Sequence, residues 1–173
     1  MAFFHKITRI EDDVEIPGRI THSFIHNGDW YILAEIKVYQ DGMIDCWDLV
    51  NFEEFKQKVA EGWVVTTLPN NAPVSVSFLA SFRVSDVKAG VKEEEFIKEV
   101  ADEIEKLNGR PTSIDKCMKA FQRFQDEQNE EAAQHLKEAY EAVPEHLRWF
   151  MLQDLDEKID VQAAFEAMKK KGL

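Results

Sequence analysis

The chain is poor in the residues that staple, hinge or anchor small proteins. Only two of its 173 residues are cysteine, Cys46 and Cys117. They stand far apart among apolar neighbours, with no CxxC and no Cys/His spacing, so neither a disulfide framework nor a structural zinc site is expected. Glycine numbers seven and is nowhere clustered. GxGxxG and GxxxxGK[ST] are both missing, which removes the phosphate-cradling loops; GxSxG and HExxH are missing too. No apolar run approaches the roughly 20 residues that cross a bilayer, and the start, MAFFHKITRIEDD, lacks the apolar stretch of a signal peptide. A cytoplasmic protein with no membrane contact and no cofactor is the resulting expectation. Bases are short relative to acids, 21 against 33, for a formal charge of −12. A phosphate backbone is gripped by neutralising it with Lys and Arg, so nucleic acid is a poor match and a basic protein partner a better one.

What is present suits a folded domain. Hydrophobic residues make up 45% of the chain and charged residues 31%, and twelve phenylalanines and four tryptophans need burial. The first ninety residues read as strands. Ile20–Ile25 runs into Asn27-Gly28, a turn signal, and Trp30–Tyr39 follows. Asp41-Gly42 is a second turn, with Met43–Leu49 returning. Asn51 caps a helix that carries Phe52, Phe55 and Val59 on one face and ends at Gly62. Trp63–Leu68 and Val74–Val84 read as a fourth and a fifth strand. Beyond Gly90 the spacing becomes helical: 92–107, closed by Asn108-Gly109; a helix opened by Pro111-Thr112-Ser113; another from Glu130 to Val143; one begun by Pro144; and one capped by Asp160. Ala132, Leu136, Ala139 and Pro144 have the spacing of a tetratricopeptide second helix. No copy follows at a fixed period, so a plain helical hairpin is expected. The fold class is α+β: an antiparallel meander or curved sheet with one inserted helix over 1–90, then a helical region over 91–173, packed as one compact unit.

No catalytic residue and no metal ligand set stands out by motif. Strand pairing suggests one site. Turns at Asn27-Gly28 and Asp41-Gly42 put Ile25 opposite Trp30, His22 opposite Leu33, and Glu35 opposite both Ile20 and Asp48. Glu35 and Asp48 then share a face, with His22 diagonal to Glu35. Two carboxylates ~5 Å apart repel by roughly 3 kcal/mol at an effective dielectric of about 20, which calls for a metal, a raised pKa or a cation such as Lys37. The alternative to an interaction module is therefore a small enzyme or metal-dependent site at His22, Glu35 and Asp48. The acidic run Glu11, Asp12, Asp13 and Glu15 lacks the spacing of a calcium loop and reads as a solvated charge run. For an interaction module, Trp149 beside Asp154, Asp156 and Glu157 is the candidate interface: an aromatic anchor in an acidic surround for a basic partner.

Three segments carry a resemblance: Asp41–Trp47 (DGMIDCW), Gly62–Thr66 (GWVVT) and Pro144–Arg148 (PEHLR). In order and spacing they resemble small bacterial proteins grouped as a domain of unknown function. Each segment has a structural role by its residues: a hairpin, a strand start and a helix start. The resemblance implies no activity and no site residue. A looser likeness, in size and acidity alone, is to immunity proteins of bacterial toxin systems.

Overall fold

The computed structural model describes residues 5–77, 79–88 and 90–148. The expected interface residues Trp149, Asp154, Asp156 and Glu157, and the helix expected after Asp160, lie outside these residues. The chain divides into two compact units, Met1–Arg110 and Pro111–Leu173. The change of pattern at Gly90 thus marks a change of secondary structure inside the first unit. The expected boundary of 90/91 is corrected to 110/111, because the helix after Gly90 buries its apolar stripe against the sheet.

Among the described residues, unit 1 holds an eight-stranded sheet: β1 (His5–Glu11), β2 (Val14–Asn27), β3 (Trp30–Tyr39), β4 (Ile44–Asp45), β5 (Leu49–Val50), β6 (Val64–Val65), β7 (Pro73–Val76) and β8 (Ala80–Arg83). Helix α1 (Phe52–Ala60) is inserted between β5 and β6, and α2 (Glu93–Leu107) follows the sheet. Three more strands form than the sequence suggests. β1 pairs with β2 through a two-residue reversal at Asp12-Asp13, whose φ values of 48° and 61° are those of a type I′ turn. Val74–Val84 is two strands joined by a turn at Ser77 (φ 47°), and β7 lies parallel to β3. Leu49–Val50 doubles back on Ile44–Asp45.

The β2–β3 hairpin turns at Asn27-Gly28 as expected, but Asn27 faces Trp30, Ile25 faces Ile32 and His22 faces Glu35. Only Gly28 (φ 61°) of the two loop residues takes a positive φ, the pattern of a type II′ turn. The loop is two residues long rather than four, so the register moves by two and every side chain keeps its face. At Asp41-Gly42 the loop has three residues: Tyr39 N–H donates to Met43 O at 2.9 Å, and Gly42 sits at φ 86°. Lys37 then faces Asp45 and Val38 faces Ile44. This is a slip of one from the expected pairing, and a slip of one turns side chains to the other face.

Ile25, Ala34, Ile36 and Val38 make up one sheet face and pack with Phe55 and Val59 of α1 and Phe96 and Val100 of α2. Asn51 caps α1 in a reciprocal box with Glu54. At the other end of α1, Gly62 N–H donates to Val59 O at 3.0 Å and Trp63 N–H to Lys58 O at 2.9 Å, a Schellman closure. The far end of α2 is held by amide exchange: Gln40 Nε2 donates to Leu107 O at 2.9 Å, and Asn108 Nδ2 to Gln40 O at 2.7 Å. Its near end is strapped by Glu93, which accepts from the backbone N–H of Thr66 (3.0 Å), the N–H of Thr67 (2.8 Å) and the Thr67 hydroxyl. Burial works against the Glu93 carboxylate, but these donors outweigh it and hold its pKa below the ordinary glutamate value. Because the folded pKa is depressed, the contribution is present above the unfolded value near 4.3 and is lost as pH falls through the folded one. Glu93→Gln is therefore expected to cost about 1 kcal/mol at pH 7, after allowing for solvent screening. Urea titrations of both forms should converge as the pH drops below about 4.

On the second sheet face, Gly18 lies opposite Tyr39. A Cβ at Gly18 would stand 2.6 Å from Tyr39 Cδ1 and 2.8 Å from the Val38 carbonyl oxygen. Arg9 closes this stack, its guanidinium 4.9 Å from the Tyr39 ring centre and paired with Asp41 and Glu11. Gly18→Ala is expected to cost about 1–3 kcal/mol by overpacking, read from the urea midpoint.

In unit 2, α3 (Ser113–Glu127) and α4 (Glu130–Ala142) form a helical hairpin, capped at Thr112 and Asn129. Cys117, Ala120 and Phe121 of α3 pack with Ala133 and Leu136 of α4 and with Val143. Helical backbone resumes at residues 145–148, just after Pro144. There Arg148 donates to Val143 O (2.9 Å) and Glu141 O (3.0 Å) and lies over the Tyr140 ring, which satisfies the last carbonyls of α4.

Candidate functional site

The structure brings two of the three expected site residues together. His22 and Glu35 are direct cross-strand partners, both exposed, so the pairing is closer than the diagonal one expected. Asp48 is elsewhere, in the reversal between β4 and β5, where Lys58 Nζ donates to it at 2.9 Å. Lys37, the expected neutralising cation, donates to Asp45 at 3.1 Å, and that bond raises the lysine pKa. The carboxylate pair is thus corrected: the one-residue slip separates Glu35 from Asp48, and Asp45 and Asp48 are each met by a lysine. Among the described residues, no group of three or more His, Cys, Asp or Glu is arranged to hold a metal ion.

His22 also lines a cavity of about 220 Å³ with Ser23, Phe24, Leu33, Thr66 and Glu99. The cavity opens along the stretch of β2 between its β1 and β6 partners. Ser23 Oγ donates to Val65 O at 2.7 Å, so that hydroxyl is engaged in the sheet. Neither thiol is an activated nucleophile. Burial raises the pKa of Cys46, and it pushes that of Cys117 up to about 11. Both are free and buried, which is the setting of inert thiols.

The most unusual local geometry is at Trp47. This residue sits at φ 79° in the three-residue reversal between β4 and β5. A bulky side chain there is a backbone outlier, because the left-handed region crowds Cβ against the neighbouring carbonyl. Two bonds fix the turn: Trp47 N–H donates to Asp45 Oδ1 at 3.2 Å, and Cys46 N–H to Asp48 O at 3.1 Å. Trp63, delivered by the Schellman closure of α1, meets Trp47 edge-on with ring centres 5.9 Å apart. Trp63 Nε1 donates to Cys46 O at 3.4 Å, and Lys58 Nζ lies 5.3 Å from the Trp63 ring. Trp47 is 47% exposed and Leu49 44% exposed, large areas for apolar side chains in one short turn. Glu53 and Glu54 open α1 just beyond that turn, and Trp47 is flanked by Asp45 at the end of β4 and Asp48 in the turn.

No motif in the sequence marks this corner, although its signal is there. DGMIDCW and GWVVT, two of the segments that carry the resemblance, each supply one tryptophan to it. What no single segment reveals is that the chain doubles back at Trp47 so that the two indoles touch.

A sheet-and-helix unit carrying an exposed aromatic corner, followed by a helical hairpin unit, defines a two-part α+β protein. The chain belongs to the family described as domain of unknown function DUF7638, which matches residues 6–111. A second domain of unknown function, DUF7639, matches residues 112–167. The junction between the two matches falls beside the junction between the compact units. No curated protein and no solved structure gives a significant match.

Proposed function

We propose that this protein acts by binding another protein, with Trp47 as the central anchor. The observation that carries the reading is a half-exposed tryptophan kept at φ 79°. Backbone strain of this kind costs of order 1–3 kcal/mol and clusters at functional positions. Glycine would fill the same turn without strain. A tryptophan there presents a large rigid surface backed by a second indole, the form that binding hot spots commonly take.

Charge sets the partner's chemistry. Residues 45–61 hold five acids and two lysines, and the whole chain carries −12. A basic protein surface is steered toward such a patch, whereas a phosphate backbone is repelled. A basic toxin domain held by an immunity protein would be one instance of this chemistry. The reading places the protein in the cytoplasm, in keeping with two buried free thiols. No helix among the described residues is long and apolar enough to cross a membrane.

The test is retention from an extract of the native host on immobilised full-length protein, with wild type and Trp47→Ala side by side at low and high salt. The reading expects a basic protein held by wild type, weakened as salt rises and lost with Trp47→Ala. Retention indifferent to Trp47 would refute it. A second reading, a small-molecule site at His22 and Glu35, is favoured by their direct pairing and by the cavity that His22 lines. Turnover or ligand binding abolished by His22→Ala and untouched by Trp47→Ala would favour that reading.

A further inference from the structure

In unit 2, α3 and α4 line a second concavity, of about 500 Å³, within the size range of ligand sites. Lys116, Lys119, Ala120 and Arg123 face it from α3; His135, Glu138, Ala139 and Ala142 face it from α4. Both sets are spaced i, i+3, i+4, i+7, one continuous stripe on each helix. The alanines keep the floor shallow and apolar. From Lys116 to Arg123 the groove runs about 10 Å, two turns of a helix laid along it.

The charge of this groove opposes that of the chain. Residues 111–148 contain eight acids and five Lys or Arg, yet three of those five bases and only one of the acids line the groove. Lys116 and Lys119 make no ion pair among the described residues. Arg123 is engaged by Glu127 (2.8 Å) and Glu131 (3.1 Å), and Gln134 donates to Glu138 at 2.8 Å. The two free ammonium groups, one turn apart above an alanine floor, are therefore the groove's available chemistry.

We propose that the α3–α4 groove binds a carboxylate-bearing amphipathic helix of a partner protein. An incoming helix with acids at i and i+3 or i+4 presents them to Lys116 and Lys119 while its small apolar face meets Ala139 and Ala142. A phosphate ligand suits the groove less well. Arg123, the side chain built for bidentate phosphate contact, is already committed to two carboxylates. This surface is separate in chemistry from the Trp47 corner and extends the proposed function to an acidic ligand.

The experiment uses the full chain and two labelled peptides of identical composition, each about 18 residues long so that a helix can form. One carries its glutamates on a single stripe opposite alanines; the other scatters them around the helix. Fluorescence anisotropy at low salt should show the striped peptide binding roughly tenfold tighter than the scattered one. Lys116→Glu/Lys119→Glu should remove that preference, whereas Lys137→Glu, outside the groove, should leave it intact. Circular dichroism would confirm that each variant is folded, and Lys116→Gln/Lys119→Gln serves if the charge reversal unfolds. Equal binding of the two peptides, no binding of the striped one, or a preference unchanged in the double variant would overturn the proposal. Full displacement of the striped peptide by millimolar inorganic phosphate would also overturn it.

Discussion

Replacing Phe55 with alanine is expected to cost about 3–5 kcal/mol of stability. Phe55 is fully buried and stands where α1 and α2 meet on the sheet. Its ring lies 6.2 Å from that of Phe96, at 60°, and 6.5 Å from that of Phe52. Truncation removes the apolar surface of a whole ring and leaves a cavity between two helices. The strands beneath are tied into the sheet and have little freedom to fill it. Phe55→Leu, which keeps most of the volume, should cost less than half as much. Urea unfolding followed by far-ultraviolet circular dichroism measures both. A loss below about 1 kcal/mol for the alanine variant would mean that α1 is not seated on the sheet as described.

Trp47→Ala is expected to weaken partner binding by roughly 30-fold or more, the scale of a hot-spot residue, with little change in stability. Removing the indole loses one edge contact with Trp63, of the order of 1 kcal/mol. Trp47→Gly separates strain from contact. At φ 79° glycine is unstrained, so this variant should be more stable than Trp47→Ala by about 1 kcal/mol while binding no better. If the glycine variant were instead the less stable of the two, strain at Trp47 would not be a feature of the folded chain.

The helices were legible because their ends are written in local chemistry. Asn51 with Glu54, Thr112 with Asp115, and the Asn108-Gly109 stop each fix an end through groups a few residues apart. Both main turns were legible in position for the same reason. Register was not, because it depends on how many loop residues take a positive φ. One residue of difference at Asp41-Gly42 separates Glu35 from Asp48, and the carboxylate pair is gone. Asp12-Asp13 reads as a charge run by composition, yet two consecutive aspartates can hold a type I′ turn, and that turn creates β1. The Trp47 corner opposes local preference outright: a bulky aromatic at positive φ is what propensity argues against. The α3 cations are visible at their i, i+3, i+7 spacing, but they become a groove only when α4 sets its alanines opposite them.

Binding through this corner requires that Trp47 be covered when the protein meets its partner. Oxidative footprinting of the full chain, alone and with the retained basic protein at saturation, reads this residue by residue. Trp47 and Leu49 should be strongly protected in the complex, while Phe82 of β8, which is 48% exposed and outside this corner, reacts as before. Trp47 oxidised equally with and without the bound partner would contradict this.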